Sequence, residues 1–145
     1  MKYILMSIKP VFANEILNGR KKFEVRAKIG GISSGDKIII YASSPVRAII
    51  GEFTAGKIII GSGEEIWNYL ISNNYGITSL DEPYIKPKRR VMAIEVKNPI
   101  RYGNPITLNE IRMHIPKFMP PMSYQELKGE LLKIIMKLIK EKYLN

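Results

Sequence analysis

Lys21, Glu24 and Arg26 stand close together in the run Gly19-Arg20-Lys21-Lys22-Phe23-Glu24-Val25-Arg26. Two kinds of chemistry fit a carboxylate set among cations. In the first, the cations hold phosphate while Glu24 accepts hydrogen bonds from an exocyclic amine or a ribose hydroxyl. In the second, burial draws the pKa values of Lys21 and Glu24 towards neutrality. Lys21 then acts as a base, and Glu24 acts as an acid or orients a water. From Lys22 the run alternates polar and apolar residues, the period of a half-buried strand. Phe23 and Val25 anchor that strand in a core, while Lys22, Glu24 and Arg26 share the other face. The competing structural reading is an ion pair of Glu24 with Arg26 on a barrel strand, bonded to neighbouring loops, and a solvated Lys21 facing the carboxyl end of a helix dipole.

Further candidates surround this run. Lys9 precedes Pro10 at a strand-to-helix junction and adds a cation. Ser43 and Ser44 end a strand, with Arg47 just beyond them, and either bond a base or phosphate or simply turn the chain before Pro45. Lys86-Pro87-Lys88-Arg89-Arg90 is a basic loop, so Lys88, Arg89 and Arg90 are candidates for phosphate-backbone contacts that add affinity without sequence information. Tyr75 and Tyr84 flank that region; they are candidates for stacking on unpaired bases, with partial burial of one or both as the favoured alternative. Trp67 reads as core, and the single histidine, His114, as structural or superficial.

Composition narrows the classes. The chain has 145 residues, no cysteine, one histidine and a formal net charge of +10. Cysteine chemistry and multi-histidine metal sites are excluded, and no acidic cluster has the spacing of a hard-cation loop, so neither metal nor cofactor is expected. The positive charge raises the local concentration of polyanions, nucleic acid above all, although the ion-pair-rich surface of a thermophile gives the same balance. No apolar run approaches the ~20 residues that span a bilayer, and the apolar start is cut by Lys9 and Pro10, as in a strand rather than a signal peptide. A cytoplasmic protein is expected.

The elements that must position these residues follow from punctuation and period. Residues 3–9 read as a strand, Pro10 opens a helix and Gly19 ends it. Residues 27–36 form a loop. Strands cover Lys37–Ala42, Val46–Thr54 and, beyond Gly56, Lys57–Ile60; those around Ile38–Ile40 and Ala48–Ile50 are apolar enough for burial on both faces. Ser62 and Glu65 form a capping box before a helix ending near Gly76. Residues 79–90 read as loop, and Val91–Val96 as a strand closed by Asn98-Pro99. Thr107–Glu110 and Ser123–Glu126 are further capping boxes. The last opens a helix with Leu127, Leu131, Ile134, Ile135 and Leu138 on one face and Gly129 inside it. The fold class is α+β: a small mixed barrel over residues 1–105 with flanking helices, and a C-terminal helical extension, 106–145, packed on the same domain.

Ser7-Ile8-Lys9-Pro10, the helix to Gly19, the Gly-x-Lys-x-x-Glu-x-Arg run, Gly35-Asp36-Lys37-Ile38, Tyr41-Ala42-Ser43-Ser44-Pro45 and Ile50-Gly51-Glu52 occur in an order that resembles the ASCH family of PUA-like β-barrel domains. The resemblance covers roughly the first hundred residues. It implies a cleft lined by the motif strand and adjacent loops, and an association with RNA. One branch of the family removes the acyl group from N4-acetylcytidine with a lysine and a threonine nucleophile; Lys21 stands at the lysine position and Glu24 at the threonine position, without the hydroxyl. That branch's carboxylate lies on a later helix, where Glu64 and Glu65 are the candidates. Ribonuclease activity is also attributed within the family. The leading expectation is an RNA-binding module whose cleft, lined by Lys9, Lys21, Glu24 and Arg26, takes a nucleotide or base. The alternatives are a hydrolase of a modified nucleoside or RNA, using Lys21 and Glu24, and a protein-interaction domain acting through its last helix. A monomer or weak homodimer is expected.

Overall fold

A computed structural model describes residues 1–144. Six strands and five helices alternate: β1 (Tyr3–Ile8), α1 (Pro10–Leu17), β2 (Phe23–Arg26), β3 (Lys37–Ala42), β4 (Ala48–Gly61), α2 (Gly63–Ser72), α3 (Glu82–Ile85), β5 (Val91–Thr107), α4 (Leu108–His114), β6 (Tyr124–Glu126) and α5 (Gly129–Leu144). The strands form one curled, half-barrel sheet in the order β2-β5-β4-β3-β1-β6. Only β1 and β3 run parallel; the other neighbours are antiparallel. The α+β class and a strongly curved mixed sheet are therefore as the sequence led us to expect.

Local signals explain most boundaries. Pro10 occupies the first turn of α1, and Gly19, at φ +80°, takes the left-handed turn after it. The capping boxes of Ser62 with Glu65 and of Thr107 with Glu110 both form. Burial on both faces of β3 and β4 also holds: Ile38 and Ile40 join the core inside the curl with α1, while Ile39 joins a second core under α4 and α5. A third core sets Phe23 of β2 against Ile66 and Leu70 of α2.

Four expectations fail, three of them for a tertiary reason. β4 does not break at Gly56; Gly56 and Lys57 together oppose Glu95 in a bulge, and Glu95 accepts the Lys57 N–H at 2.9 Å. β5 does not close at Asn98-Pro99, because those two residues sit opposite Phe53 alone, in another bulge, where proline's missing N–H leaves no ladder bond unmade. Within the expected loop 79–90, residues 82–85 form one helical turn, α3. Ser123–Glu126 does not cap a helix. Tyr124–Glu126 is a strand paired with β1, and α5 starts only at Gly129, whose φ of +56° belongs to a helix entry rather than an interior. Leu127 lies outside the helix yet is buried with Ile135 and Leu138 in the same core.

The curl brings the sheet's two edges together. Lys28 Nζ, just beyond β2, donates to the Tyr124 carbonyl at 2.8 Å, and the Tyr124 hydroxyl lies 2.6 Å from the Gly30 carbonyl. A cleft opens beside this seam.

Candidate functional site

The cleft has a volume of about 480 Å³. Its walls come from four places. The C-terminal ends of the parallel strands β1 and β3 lie side by side, since Ser43 N–H donates to the Ile8 carbonyl at 3.0 Å, which sets Ser43 beside Lys9. Edge strand β2 supplies Glu24 and Arg26, and the seam supplies Lys28, Met122 and Ser123. The α3 turn supplies Asp81 and Tyr84.

At the floor, opposite charges are buried together. Lys21, Glu24 and Asp81 are 3%, 4% and 4% exposed. The Lys21 ammonium pairs with the Asp81 carboxylate, lies 3.6 Å from Glu24 Oε1 and sits 4.3 Å from the centre of the Phe12 ring. Arg26 donates to Glu24 Oε2 through Nη2 at 2.6 Å and Nε at 3.1 Å. Asp81 also accepts the Thr78 N–H at 2.9 Å. Burial acts to raise the Glu24 carboxyl, but Arg26 and Lys21 outweigh it and hold its pKa below the ordinary carboxylate range. Glu24 is thus an anion and a hydrogen-bond acceptor at neutral pH, which leaves it no proton to give as an acid. Taking several charges out of water costs more than well-packed apolar residues would, so stability alone is a poor reason for this arrangement. A carboxylate shifted by specific charge partners at the bottom of a cleft fits the pattern of functional sites.

Glycines set the geometry. Gly76 has φ +79°, and a Cβ there would fall on the Arg20 carbonyl; the turn before α3 can lie against the Lys21 backbone only without a side chain. At Gly63 a Cβ would meet the carbonyls of Ile85 and Lys88, so the first turn of α2 presses directly on the segment that carries Tyr84 and Lys88. Lys22 N–H donates to the Tyr75 carbonyl at 2.9 Å, closing the same contact.

At the rim the chemistry changes. Lys9, Lys28 and Lys88 add three cations to the lining, so five cations face two carboxylates. Tyr84 is half exposed, edge-on to Phe12 at 5.6 Å, with Lys9 Nζ 5.4 Å from its ring centre. Ser7 Oγ donates to the Pro121 carbonyl at 2.6 Å and ties the seam segment to β1.

Of the residues singled out in the sequence, Lys9, Lys21, Glu24, Arg26, Ser43 and Lys88 line the cleft together. Ser44, Arg47, Arg89 and Arg90 are exposed and outside its lining. Tyr84 is at the cleft, whereas Tyr75 packs on Phe23 and Tyr69 in the third core, with Trp67 half-buried against it. His114 is exposed at the end of α4. Glu64 and Glu65 stay in the exposed first turn of α2, where Glu65 completes the capping box, and the carboxylate that does reach Lys21 is Asp81. Sequence reasoning missed Asp81. Its one signal was the Asp81-Glu82-Pro83 order, a helix start inside what read as a loop. Lys28, in a glycine-bounded loop, carried no signal at all. Among the described residues no group of three or more histidine, cysteine or acidic side chains is placed to hold a metal, and no helix is long and apolar enough to cross a membrane.

Comparison with known proteins agrees with the fold. The family model described as the ASCH domain matches residues 6–102. The chain is 28% identical over 131 residues to an ASCH domain-containing ribonuclease from Zymomonas mobilis, covering 89% of this chain and 86% of that one. The crystal structure of ASCH from Zymomonas mobilis superposes with a TM-score of 0.81 at 24% identity, covering 94% and 95% of the two chains. The N-terminal domain of Staphylothermus marinus McrB shares the fold at a TM-score of 0.62 and 16% identity, covering 93% of each.

Proposed function

Because this chain belongs to the ASCH domain family, we propose that it is a cytoplasmic RNA-binding protein whose cleft takes one nucleotide of a single strand. The observation that carries this reading is the graded charge of the cleft: a compensated, buried cluster at the floor and three further lysines at the rim. Lysine ammonium groups at the rim hold phosphates as point charges. At the floor, Glu24 Oε2 accepts both Arg26 bonds while Oε1 only faces the Lys21 ammonium at 3.6 Å, which leaves acceptor capacity for a base amine or a ribose hydroxyl. Tyr84 offers a half-exposed ring on which the base stacks. Arg89 and Arg90, exposed beyond Lys88, extend the phosphate path.

The test is a titration of labelled single-stranded RNA at several salt concentrations. If Lys9, Lys28 and Lys88 each neutralise one phosphate, log Kd changes with log salt with a slope of about 2 in magnitude. Lys88→Ala lowers that slope by about 0.7, the share of one phosphate on a single strand. Salt-independent binding, or none, overturns the reading.

A second reading, cleavage of the bound RNA, is favoured by a specific observation: the relative from Zymomonas mobilis named a ribonuclease aligns over most of this chain. In that case the ionised Glu24 takes the proton of the ribose 2′-hydroxyl as that oxygen attacks phosphorus, and a lysine ammonium of the cleft gives a proton to the departing 5′-oxygen. RNA that is shortened by the wild type and left intact by Glu24→Gln, at concentrations that saturate the variant, selects this reading over binding alone. Deacylation through a side-chain nucleophile is disfavoured, because Glu24 occupies the position at which a hydroxyl is needed.

A further inference from the structure

A second cavity, of about 580 Å³, lies between α5 and the β4–β5 ladder and shares no lining residue with the cleft. Ile100, Met136 and Ile139 form its apolar surface, and Lys133, Lys137 and Lys140 stand along it. Ile100 is 37% exposed there although it is a large apolar residue. At about 100° per residue the three lysines fall within an arc of roughly 60° on α5 and span roughly 10 Å of its length. None of them has an acidic partner among the described residues. Glu52, the acidic residue lining the groove, is already engaged by Lys37 at 2.9 Å and by the Tyr102 hydroxyl at 2.8 Å. An apolar trough therefore runs beside a row of uncompensated positive charge.

That combination selects an occupant by its chemistry. A second copy of this chain brings a net charge of +10 against the same lysines. RNA offers phosphates to them, but no aromatic side chain lines the groove to receive its bases. A bilayer cannot take α5 apolar-side down, because Ile135 and Leu138 are already packed in the core. A fatty carboxylate satisfies one lysine and leaves the others unanswered. Carboxylates repeated at successive turns of a helix, with apolar residues on the adjoining stripe, match both the lysine spacing and the trough. We propose that this groove docks an acidic amphipathic helix of a partner protein. The assignment is independent of what the cleft binds.

The probe is a synthetic helical peptide with glutamates at i, i+4 and i+7 and leucines on the adjoining face, compared with a scrambled peptide of the same composition. With the full isotope-labelled chain followed by NMR, the patterned peptide shifts the resonances of Ile100, Lys133, Met136, Lys137, Ile139 and Lys140 and leaves those of Lys21 and Glu24 in place. The variant Lys133→Glu/Lys137→Glu, which changes only exposed side chains, binds at least about tenfold more weakly, as loss of complementary charge pairs demands. A peptide with lysines in place of the glutamates then regains affinity for that variant. Equal binding of the scrambled peptide, displacement by oleate at equal concentration, RNA-induced shifts confined to the groove, or no groove shifts with the patterned peptide would each overturn the assignment.

Discussion

At Lys21 two carboxylates share one ammonium group, and the difference between them is testable. Asp81 is bonded directly to Lys21, while Glu24 is shared between Lys21 and Arg26. Asp81→Ala leaves the buried ammonium with Glu24, at 3.6 Å, as its remaining partner, and removal of one member of a buried pair costs roughly 3–5 kcal/mol. Urea denaturation should register that loss, and RNA affinity should fall even in conditions where the variant is folded. A drop below about 1 kcal/mol would mean that Lys21 swings fully to Glu24. The period of two in β2 correctly put Phe23 and Glu24 on opposite faces. It could not tell that the face carrying Glu24 is itself covered, because what covers it is Lys21, Asp81 and the α3 turn, of which Asp81 lies 57 residues further along the chain.

Among the elements, the pair Gly19 and Gly76 separates backbone strain from packing. Both have positive φ, +80° and +79°. A Cβ on Gly19 meets nothing within 4 Å, whereas one on Gly76 falls on the Arg20 carbonyl. Gly19→Ala should therefore cost only the conformational penalty, about 1–2 kcal/mol, with RNA affinity unchanged. Gly76→Ala adds a displacement of the Arg20–Lys21 backbone, so it should destabilise by more and weaken RNA binding as well. Equal stability loss in the two variants, read from thermal unfolding, would show that the turn before α3 gives way freely. Helix starts in this chain were legible where the cap is self-contained, as at Ser62 and Thr107. The same pattern at Ser123 lost to strand pairing, because the seam offers Tyr124 a burial site and carbonyl partners that an isolated helix start cannot match.

For the whole molecule, acid stability follows from buried carboxylates. Burial raises the Asp36 carboxyl, but the N–H groups of Lys2 and Ser33 and the Lys2 ammonium outweigh it and hold its pKa below the ordinary value; Glu24 behaves likewise through Arg26 and Lys21. A carboxyl depressed in the folded state favours folding fully above its unfolded pKa, about 4, and that contribution is lost as pH falls through the folded value. Unfolding free energy should be level with respect to these groups above about pH 5 and decline below it, and Asp36→Asn should make the decline shallower. An unchanged acid slope would count against the Lys2–Asp36 tie. The sequence by itself determined the composition-driven exclusions, the α+β class, the order of segments that marks the family and the Lys21–Glu24–Arg26 run, because period, caps and local motifs are written within a few residues. Only the tertiary structure decided that β4 and β5 continue through their bulges, that Tyr124 pairs with β1, and that Asp81, Lys28 and Ser123 meet the run in one cleft. Those outcomes depend on closing a curled sheet edge to edge, and the groups that compete for burial at such a seam come from opposite ends of the chain.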